Sequence, residues 1–201
     1  MKEQLDYFRD NIFEAKSVYN GWKMIVYSKW VAYVGQDLAE KYVKIQSYHK
    51  DFFYLAERSF LFHWVLLVLH CFDPRKDSFS LRKIARQETE LFLKESQNKK
   101  IFSNLKIVRD TLLAHRSKAI KKRDIGSMEE LDLFFKNIED FYNKILDNLG
   151  KSKVMFQRTD DIKYDIEDLF MNIEGGELAR KNKLDGDWSL KGNLNRISNI
   201  L

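Results

Sequence analysis

The sequence has few of the residues that form turns and breaks, with one proline and eight glycines in 201 residues. A fold of many short strands needs such residues at its turns, so this composition argues against a β-rich protein. Hydrophobic residues make up 44% of the chain, which is enough for a packed core and argues against wholesale disorder. Long mixtures of charged and apolar residues without breakers are typical of helices. We therefore expect an all-α fold, and the length fits a single domain.

Cysteine and long apolar runs are also scarce. Cys71 is the only cysteine, so no internal disulfide can form, which suits a reducing compartment. The N-terminal residues 1–13 are charged and unlike a signal peptide. The most apolar stretch, residues 60–72, has 13 residues, whereas a membrane span needs about 20. We expect a cytoplasmic protein without a membrane partner, in which this stretch belongs to a central, buried helix.

The charge is unevenly distributed along the chain. Residues 94–123 contain ten Lys or Arg against two acids, a net of +8, whereas residues 124–174 contain thirteen acids against six bases, a net of −7. One segment thus carries more than the +5 of the whole chain. Such a segment is expected where one face meets a polyanion, but similar runs also occur on ordinary solvated helix faces. Charge alone does not decide between the two.

Apolar spacing and capping residues predict a bundle of about five to seven helices. Their approximate ranges are 2–19, 22–49, 51–72, 80–96, 98–115, 127–150 and 160–174. Ser80 and the pair Ser127–Glu130 are expected to cap helix N-termini. Helix ends are expected at Asn20–Gly21, at Gly150 and at Gly175–Gly176. Long helices with short connections favour an antiparallel, up-and-down bundle. We expect residues 1–175 to form it and residues 176–201 to be a loosely docked tail.

The most informative segment is LKIVRDTLLAHR, residues 105–116, in which Arg109 and Asp110 precede His115. The order arginine, polar residue, about four variable positions and histidine resembles the signature of the HEPN superfamily. The wider string VRDTLLAH is similar to the abortive-infection (AbiU-like) branch of that family. Residues 71–84, CFDPRKDSFSLRKI, resemble the Phe-Asp loop and Ser-Leu helix start that precede the motif in this branch.

This resemblance covers roughly residues 50–150 and implies a function. HEPN proteins pair so that both motifs line one cleft, and a two-fold interface brings like residues together. The resemblance implies a homodimeric endoribonuclease that needs no metal ion or other cofactor, because RNA supplies its own nucleophile, the 2′-hydroxyl. Cleavage would leave a 2′,3′-cyclic phosphate and a 5′-hydroxyl. The implied setting is a toxin or phage-defence protein, with an antitoxin, nucleotidyltransferase-like or of another kind, as a partner.

The residue types suit these roles. His115 would exchange a proton with the attacking 2′-oxygen or the departing 5′-oxygen. Arg109 would bind two phosphate oxygens with its planar fork, and Asp110 would orient the arginine. Basic residues that follow the motif would hold the strand by its phosphates: Arg116, Lys118, Lys121, Lys122 and Arg123. Family members often carry an acid shortly after the histidine, and this chain has Arg116, Ser117 and Lys118 there.

Helix geometry constrains the site. On a regular α-helix Arg109 and His115 lie about 120° apart around the axis and about 9 Å along it, so they would not converge on one phosphate. An apolar stripe leads up to the histidine: Ile101, Leu105, Val108 and Leu112. His115 is therefore expected at the end of a buried seam, with Arg109 on its flank. Convergence then needs a helix that ends near His115 or the second copy of the motif from a symmetric partner.

Two alternatives stay open. The chain is also compatible with a non-catalytic HEPN-like module that binds RNA or a protein, and with a purely structural bundle. Other candidate residues are better explained by packing: His63 and His70 lie two turns apart rather than at the three- or four-residue spacing of metal ligands. An aromatic group is likewise expected in the core rather than stacked on bases: Trp22, Tyr27, Trp30 and Tyr33.

Overall fold

The computed structural model describes residues 2–75, 78–114 and 125–184. Over these ranges the chain is helical and contains no strand, so the all-α prediction is confirmed. The α-helices are α1 (Lys2–Tyr27), α2 (Val31–Val34), α3 (Gln36–Tyr48), α4 (Lys50–Cys71), α5 (Leu81–Ile84), α6 (Arg86–Lys94), α7 (Ser96–Val108), α8 (Met128–Asn148) and α9 (Asp161–Leu184). A π-helical turn, Arg109–Ala114, follows α7, and a 3₁₀ turn, Gln157–Asp160, precedes α9.

The main core lies between α1, α4, α7 and α8. Its centre is aromatic: Tyr19 of α1 stacks on Phe135 of α8 with ring centroids 4.6 Å apart, and Trp64 of α4 meets the same ring at 5.8 Å. The Tyr19 hydroxyl donates to Asp132 at 2.8 Å, which satisfies the polar end of a buried ring. Burial and the neighbouring Asp132 carboxylate both raise the pKa of Tyr19, so its phenol stays protonated.

A second, smaller cluster joins the end of α1 to α3, α4 and α9. Its buried members are Ile25, Ile45, Phe53, Ile166 and Phe170. This cluster fixes α3 and α9 against the main bundle.

The predicted end of the first helix at Asn20–Gly21 is wrong, because α1 continues to Tyr27. Asn20 is buried and donates to the Thr159 carbonyl and to Asp160, each at 2.9 Å, so it ties α1 to the start of α9. Gly21 lies against Phe60, so its missing side chain serves close helix packing. Asn20 and Gly21 thus lie within α1 and make tertiary contacts with other elements.

The predicted single helix over residues 22–49 is also wrong. The chain leaves α1 after Tyr27, and Gly35, with a φ of +82°, separates the short α2 from α3. Glycine adopts this backbone conformation without steric cost, which places the break there. A buried carbonyl group in the last turn of α1 is satisfied by a residue far along the chain, since Gln46 of α3 donates to the Ile25 carbonyl at 3.0 Å.

The bounds predicted for the apolar helix are confirmed within a residue, because α4 ends just before the Asp73–Pro74 step. The expected central, buried position is confirmed for the second half of the helix and is wrong for its start. Its face near residue 65 lies in the core, whereas Phe52 and Leu55 are exposed. By length and composition α4 is the one helix among the described residues that would be able to span a membrane. In this fold it packs against α1 and α7.

The two predicted N-terminal caps are confirmed. Arg82 N–H donates to Ser80 Oγ at 3.2 Å, and Ser127 and Glu130 form the reciprocal capping box at the start of α8. The predicted helix over 80–96 is divided at Ala85 into α5 and α6. Gly150, with a φ of +65°, follows α8 as expected.

The last helix does not end at Gly175–Gly176, because α9 continues through both glycines to Leu184. Side chains on both sides of the pair contact α3: Glu174 binds Lys41 at 2.7 Å, and Lys181 lies 3.5 Å from the Tyr48 hydroxyl. These contacts stabilise α9 across Gly175 and Gly176, two residues of low helix propensity. The loosely docked tail is predicted over residues 176–201, and residues 176–184 of it belong to α9. Residues 185–201 lie outside the described residues.

Candidate functional site

The buried seam predicted along α7 is present over its described part. Ile101 and Leu105 are fully buried and Val108 is 2% exposed. The seam faces the core formed by α4 and α8, so the opposite side of α7, with Lys106 and Ile107, faces outward. Arg109 follows directly where the seam reaches the end of the helix.

The regular helix ends at Arg109, where the π-helical turn begins. Thr111 Oγ1 donates to the Ile107 carbonyl at 2.7 Å, and such side-chain bonds to the preceding turn bend helices. Single π-turns are frequent at functional sites. Because the hydrogen bonds of a π-turn span five residues rather than four, the angle calculated for a regular α-helix does not hold between Arg109 and the residues that follow it.

Arg109 and Asp110 form an ion pair at the surface. Arg109 Nε and Nη2 both lie 2.7 Å from Asp110 Oδ1, and the two side chains are 43% and 58% exposed. The carboxylate therefore takes one edge of the guanidinium. Because the group is planar, its Nη1–Nη2 edge points in another direction and retains the geometry for binding two oxygens of a phosphate.

Arg109 borders a cavity of about 140 Å³ between the end of α4, the loop after it and α7. The polar residues of its described wall are His70, Asp73, Arg75, Lys106 and Arg109. Three cations thus stand against one carboxylate, which favours an anion. Ligand pockets for whole small molecules are typically about 300–1,000 Å³, so this cavity suits a single phosphate group rather than a nucleotide.

Asp73 is already engaged by Arg75. The guanidinium donates to Asp73 Oδ2 at 2.7 and 2.9 Å, and the Arg75 backbone N–H donates to Oδ1 at 3.0 Å. These hydrogen bonds, with the side-chain bond as the largest cause, lower the pKa of Asp73, so it stays ionised. The pair fixes the loop after α4 in place, next to the cavity.

His70 is the residue of this cavity that sequence analysis assigned to the core. Its ring is only half-buried, and its Nε2 lies 2.8 Å from the Tyr7 hydroxyl of α1. His63 is not in the core either: it is exposed and its Nε2 lies 2.9 Å from Glu14. The core prediction is therefore wrong for both histidines. The spacing of the two histidines along α4 carried no signal for His70, because its hydrogen-bond partner lies on α1 and the other wall of its cavity belongs to α7.

The aromatic group shows a mixed outcome. Trp22 is buried in the core as predicted, and Tyr27 packs against the core. Trp30 and Tyr33 are 49% and 41% exposed, so the core prediction is wrong for these two. They form a surface cluster with Tyr27, whose ring lies 5.3 Å from Trp30 and 4.9 Å from Tyr33.

A second cavity among the described residues has the opposite charge. It lies between α6 and α8, measures about 250 Å³, and its charged residues are Glu88, Glu95, Asp140 and Lys144. Three carboxylates against one lysine disfavour a polyanion. Between these two cavities, the one beside Arg109 is therefore the better candidate for a phosphate.

Six of the predicted site residues lie outside the described residues: His115, Arg116, Lys118, Lys121, Lys122 and Arg123. Their roles stay predictions, as does the homodimer. Over the described ranges no group of three or more His, Cys, Asp or Glu is placed to hold a metal ion. No protein-family model, curated protein or solved structure matches this chain. The functional assignment therefore rests on the residues and their geometry.

Proposed function

We propose that this chain is a metal-independent endoribonuclease of the HEPN type, acting in the cytoplasm as a toxin or phage-defence protein. The observation that supports it is the surface ion pair of Arg109 and Asp110 beside a cavity lined by cations. The proposal includes an antiparallel HEPN-like bundle and a homodimer that brings two motifs to one cleft. An antitoxin protein is the expected partner in the cell.

The proposed reaction requires charge stabilisation and proton transfer. The 2′-oxygen attacks the adjacent phosphorus, and negative charge builds on the phosphate oxygens. Arg109 binds these oxygens, Asp110 keeps the guanidinium in place, and Lys106 adds positive charge from the same wall of the cavity. His115 exchanges a proton with the attacking or departing oxygen. The basic residues after it hold the strand through its phosphates: Arg116, Lys118, Lys121, Lys122 and Arg123.

A non-catalytic RNA-binding module is the second candidate. The cationic lining of the cavity favours it, because holding a phosphate by charge needs no proton carrier. The two candidates differ in what His115 does. Catalysis depends on the imidazole, whereas electrostatic binding depends on the cations and weakens steeply with salt.

Cleavage of a labelled single-stranded RNA by the purified full chain in EDTA separates the candidates. We expect turnover that falls about 10²–10⁴-fold in His115→Ala, as for general acid–base groups. His49→Ala, which removes an exposed histidine between α3 and α4, is the matched control and should cleave like wild type. Products should carry 2′,3′-cyclic phosphate and 5′-hydroxyl ends.

A second pair of variants tests the guanidinium. Arg109→Ala should lower kcat by about 10²–10³-fold, the usual cost of removing a group that stabilises developing charge. Arg158→Ala, at an exposed arginine of the 3₁₀ turn, should have no such effect. RNA binding without turnover in wild type, or turnover unchanged in His115→Ala, would reject the nuclease in favour of the binding module or a contaminant.

A further inference from the structure

Cleavage by 2′-oxygen attack needs two proton transfers at opposite sides of the phosphorus. One group removes the proton of the 2′-hydroxyl, and another gives a proton to the departing 5′-oxygen. Because the attacking and departing oxygens are roughly in line, on opposite sides of the phosphorus, two separate proton carriers suit the reaction better than one. The motif supplies one histidine per chain, His115. A second proton carrier must come from elsewhere, whether from a partner's motif or from the same chain.

His70 stands where such a group is needed. It lies in the last turn of α4, and it lines the same cavity as Arg109 and Lys106 of the α7 side. It is half-buried, so it is held in position and still open to the cavity. No second subunit is required to bring this imidazole to the wall that carries Arg109.

Tyr7 fixes the histidine ring. Its hydroxyl lies 2.8 Å from His70 Nε2, and the two ring planes cross at 72° with centroids 5.9 Å apart. The ring of Phe79 also packs against the ring of Tyr7, with centroids 5.8 Å apart. When one imidazole nitrogen is engaged in this way, the hydrogen bond sets the tautomer and leaves proton exchange to the other nitrogen, Nδ1.

Titratable and charged groups from each element packed around His70 surround it or share its cavity. Tyr7 of α1 is its hydrogen-bond partner, and Asp73 and Arg75 from the loop after α4 line the cavity together with Lys106 and Arg109 from the α7 side. The Asp73 carboxylate is hydrogen-bonded to Arg75, which offsets its negative charge. The remaining charge of the cavity wall is positive and favours an approaching phosphate.

From this geometry we infer that the cavity holds the scissile phosphate of RNA and that His70 is the second proton carrier, with Tyr7 as its positioning residue. The inference rests on the proposed cleavage reaction but not on a dimer. The 2′-oxygen bonds to phosphorus as its proton passes to one imidazole. The bond between phosphorus and the 5′-oxygen breaks as a second, protonated imidazole protonates that oxygen. His70 performs one of the two transfers, and the proposed function gives the other to His115. The RNA supplies every atom of both products.

The first test compares His70→Gln with His63→Gln. Both residues lie on α4, and each imidazole contacts a side chain of α1, so fold effects are matched. We expect kcat to fall at least about 10²-fold in His70→Gln with KM nearly unchanged, and one limb of the pH–rate profile to disappear. Tyr7→Phe should shift the same limb of the pH–rate profile along the pH axis and should lower kcat less than His70→Gln does. Wild-type rates in His70→Gln, or a loss with both limbs retained, would overturn the inference.

The second test uses an RNA whose scissile 5′-oxygen is replaced by sulfur. A thiolate leaves without receiving a proton, so loss of the acid is tolerated while loss of the base is not. We expect this substrate to restore cleavage in one of the variants His70→Gln and His115→Gln and not in the other. Restoration in neither or in both would overturn the division of proton transfers.

A binding measurement keeps this inference separate from the proposed function. A 2′-deoxy oligonucleotide has the phosphates of RNA without the nucleophile. Its addition to wild type should shift the imidazole NMR signals of His70 and leave those of His63 unchanged, at concentrations where inorganic phosphate alone has no effect. If wild type cleaves RNA but His70 does not respond, only the inference fails. If wild type never cleaves RNA, the function fails and the proton role with it.

Discussion

Gly21 of α1 lies directly against the ring of Phe60 of α4. A Cβ at this position would come within 2.9 Å of Phe60 Cε2 and within 3.3 Å of a side-chain carbon of Ile162. The absent side chain is what lets α1 and α4 approach, and these two helices share the most extensive contact of the described bundle. In the sequence Gly21 predicts a helix end, but in the structure it lies within α1 and allows close packing of the two helices.

The Gly21→Ala variant should therefore be less stable. Overpacking costs about 1–3 kcal/mol, whereas alanine gains about 1 kcal/mol of helix propensity, so we expect a net loss of up to about 2 kcal/mol in the free energy of unfolding. Gly175→Ala is the matched control, since no atom lies within 4 Å of a Cβ there. It should gain about 0.5–1 kcal/mol if α9 is continuous. Urea denaturation followed by circular dichroism measures both, and a loss in Gly175→Ala would contradict the continuous helix.

Cys71 should be chemically inert while the protein is folded. Its side chain is 1% exposed, and burial raises the pKa of the thiol to about 12, so the reactive thiolate is scarce at neutral pH. A thiol reagent such as Ellman's should react only at the rate of unfolding, and immediately in denaturant. Rapid labelling of the native chain would show that the last turn of α4 opens locally.

The Asp73–Arg75 pair should make stability depend on acid pH. Hydrogen bonds from Arg75 lower the pKa of Asp73, so its stabilising contribution is present above the unfolded value of about 3.9 and is lost as pH falls through the lower folded value. Asp73→Asn should thus lower the unfolding free energy at neutral pH, and the difference from wild type should shrink below about pH 4. Asp147→Asn, in the exposed last turn of α8, should not lower stability, since a helix C-terminus disfavours an anion. Equal effects of the two variants would contradict the pairing.

Lys106 should contribute a phosphate contact. For single strands the slope of log affinity against log salt changes by about 0.7 for each phosphate neutralised, so Lys106→Ala should flatten it by about that amount. Lys144→Ala, which removes the lysine of the acidic cavity, should leave the slope unchanged. Fluorescence anisotropy with a 2′-deoxy oligonucleotide at several salt concentrations measures both. An unchanged slope in Lys106→Ala would show that the strand avoids this cavity.

Local features were predictable because their partners are close in sequence. The Ser80 and Ser127 caps bind backbone groups two or three residues away, and Pro74 restricts the residue just before it. The seam of Ile101, Leu105 and Val108 follows from helical spacing alone.

The site was predictable only in part for the same reason. Arg109 and Asp110 are adjacent, so their ion pair is short-range. His70 lines the same cavity and is hydrogen-bonded to Tyr7 of α1, and nothing in its spacing from His63 indicates this. The π-turn also escaped prediction, because a helical pattern specifies the apolar face and not the hydrogen-bond register.

By itself the sequence determined the helical class, the capped helix starts, the buried stripe of α7 and the position of the Arg109–Asp110 pair. Only the tertiary structure decided that α1 runs past Gly21, that α9 runs past Gly175, and that His70 lines a cationic cavity. Capping and periodicity act within a few residues of one helix. Whether a glycine ends a helix, or a histidine is buried, depends on the elements packed against it, which lie tens of residues away in the chain.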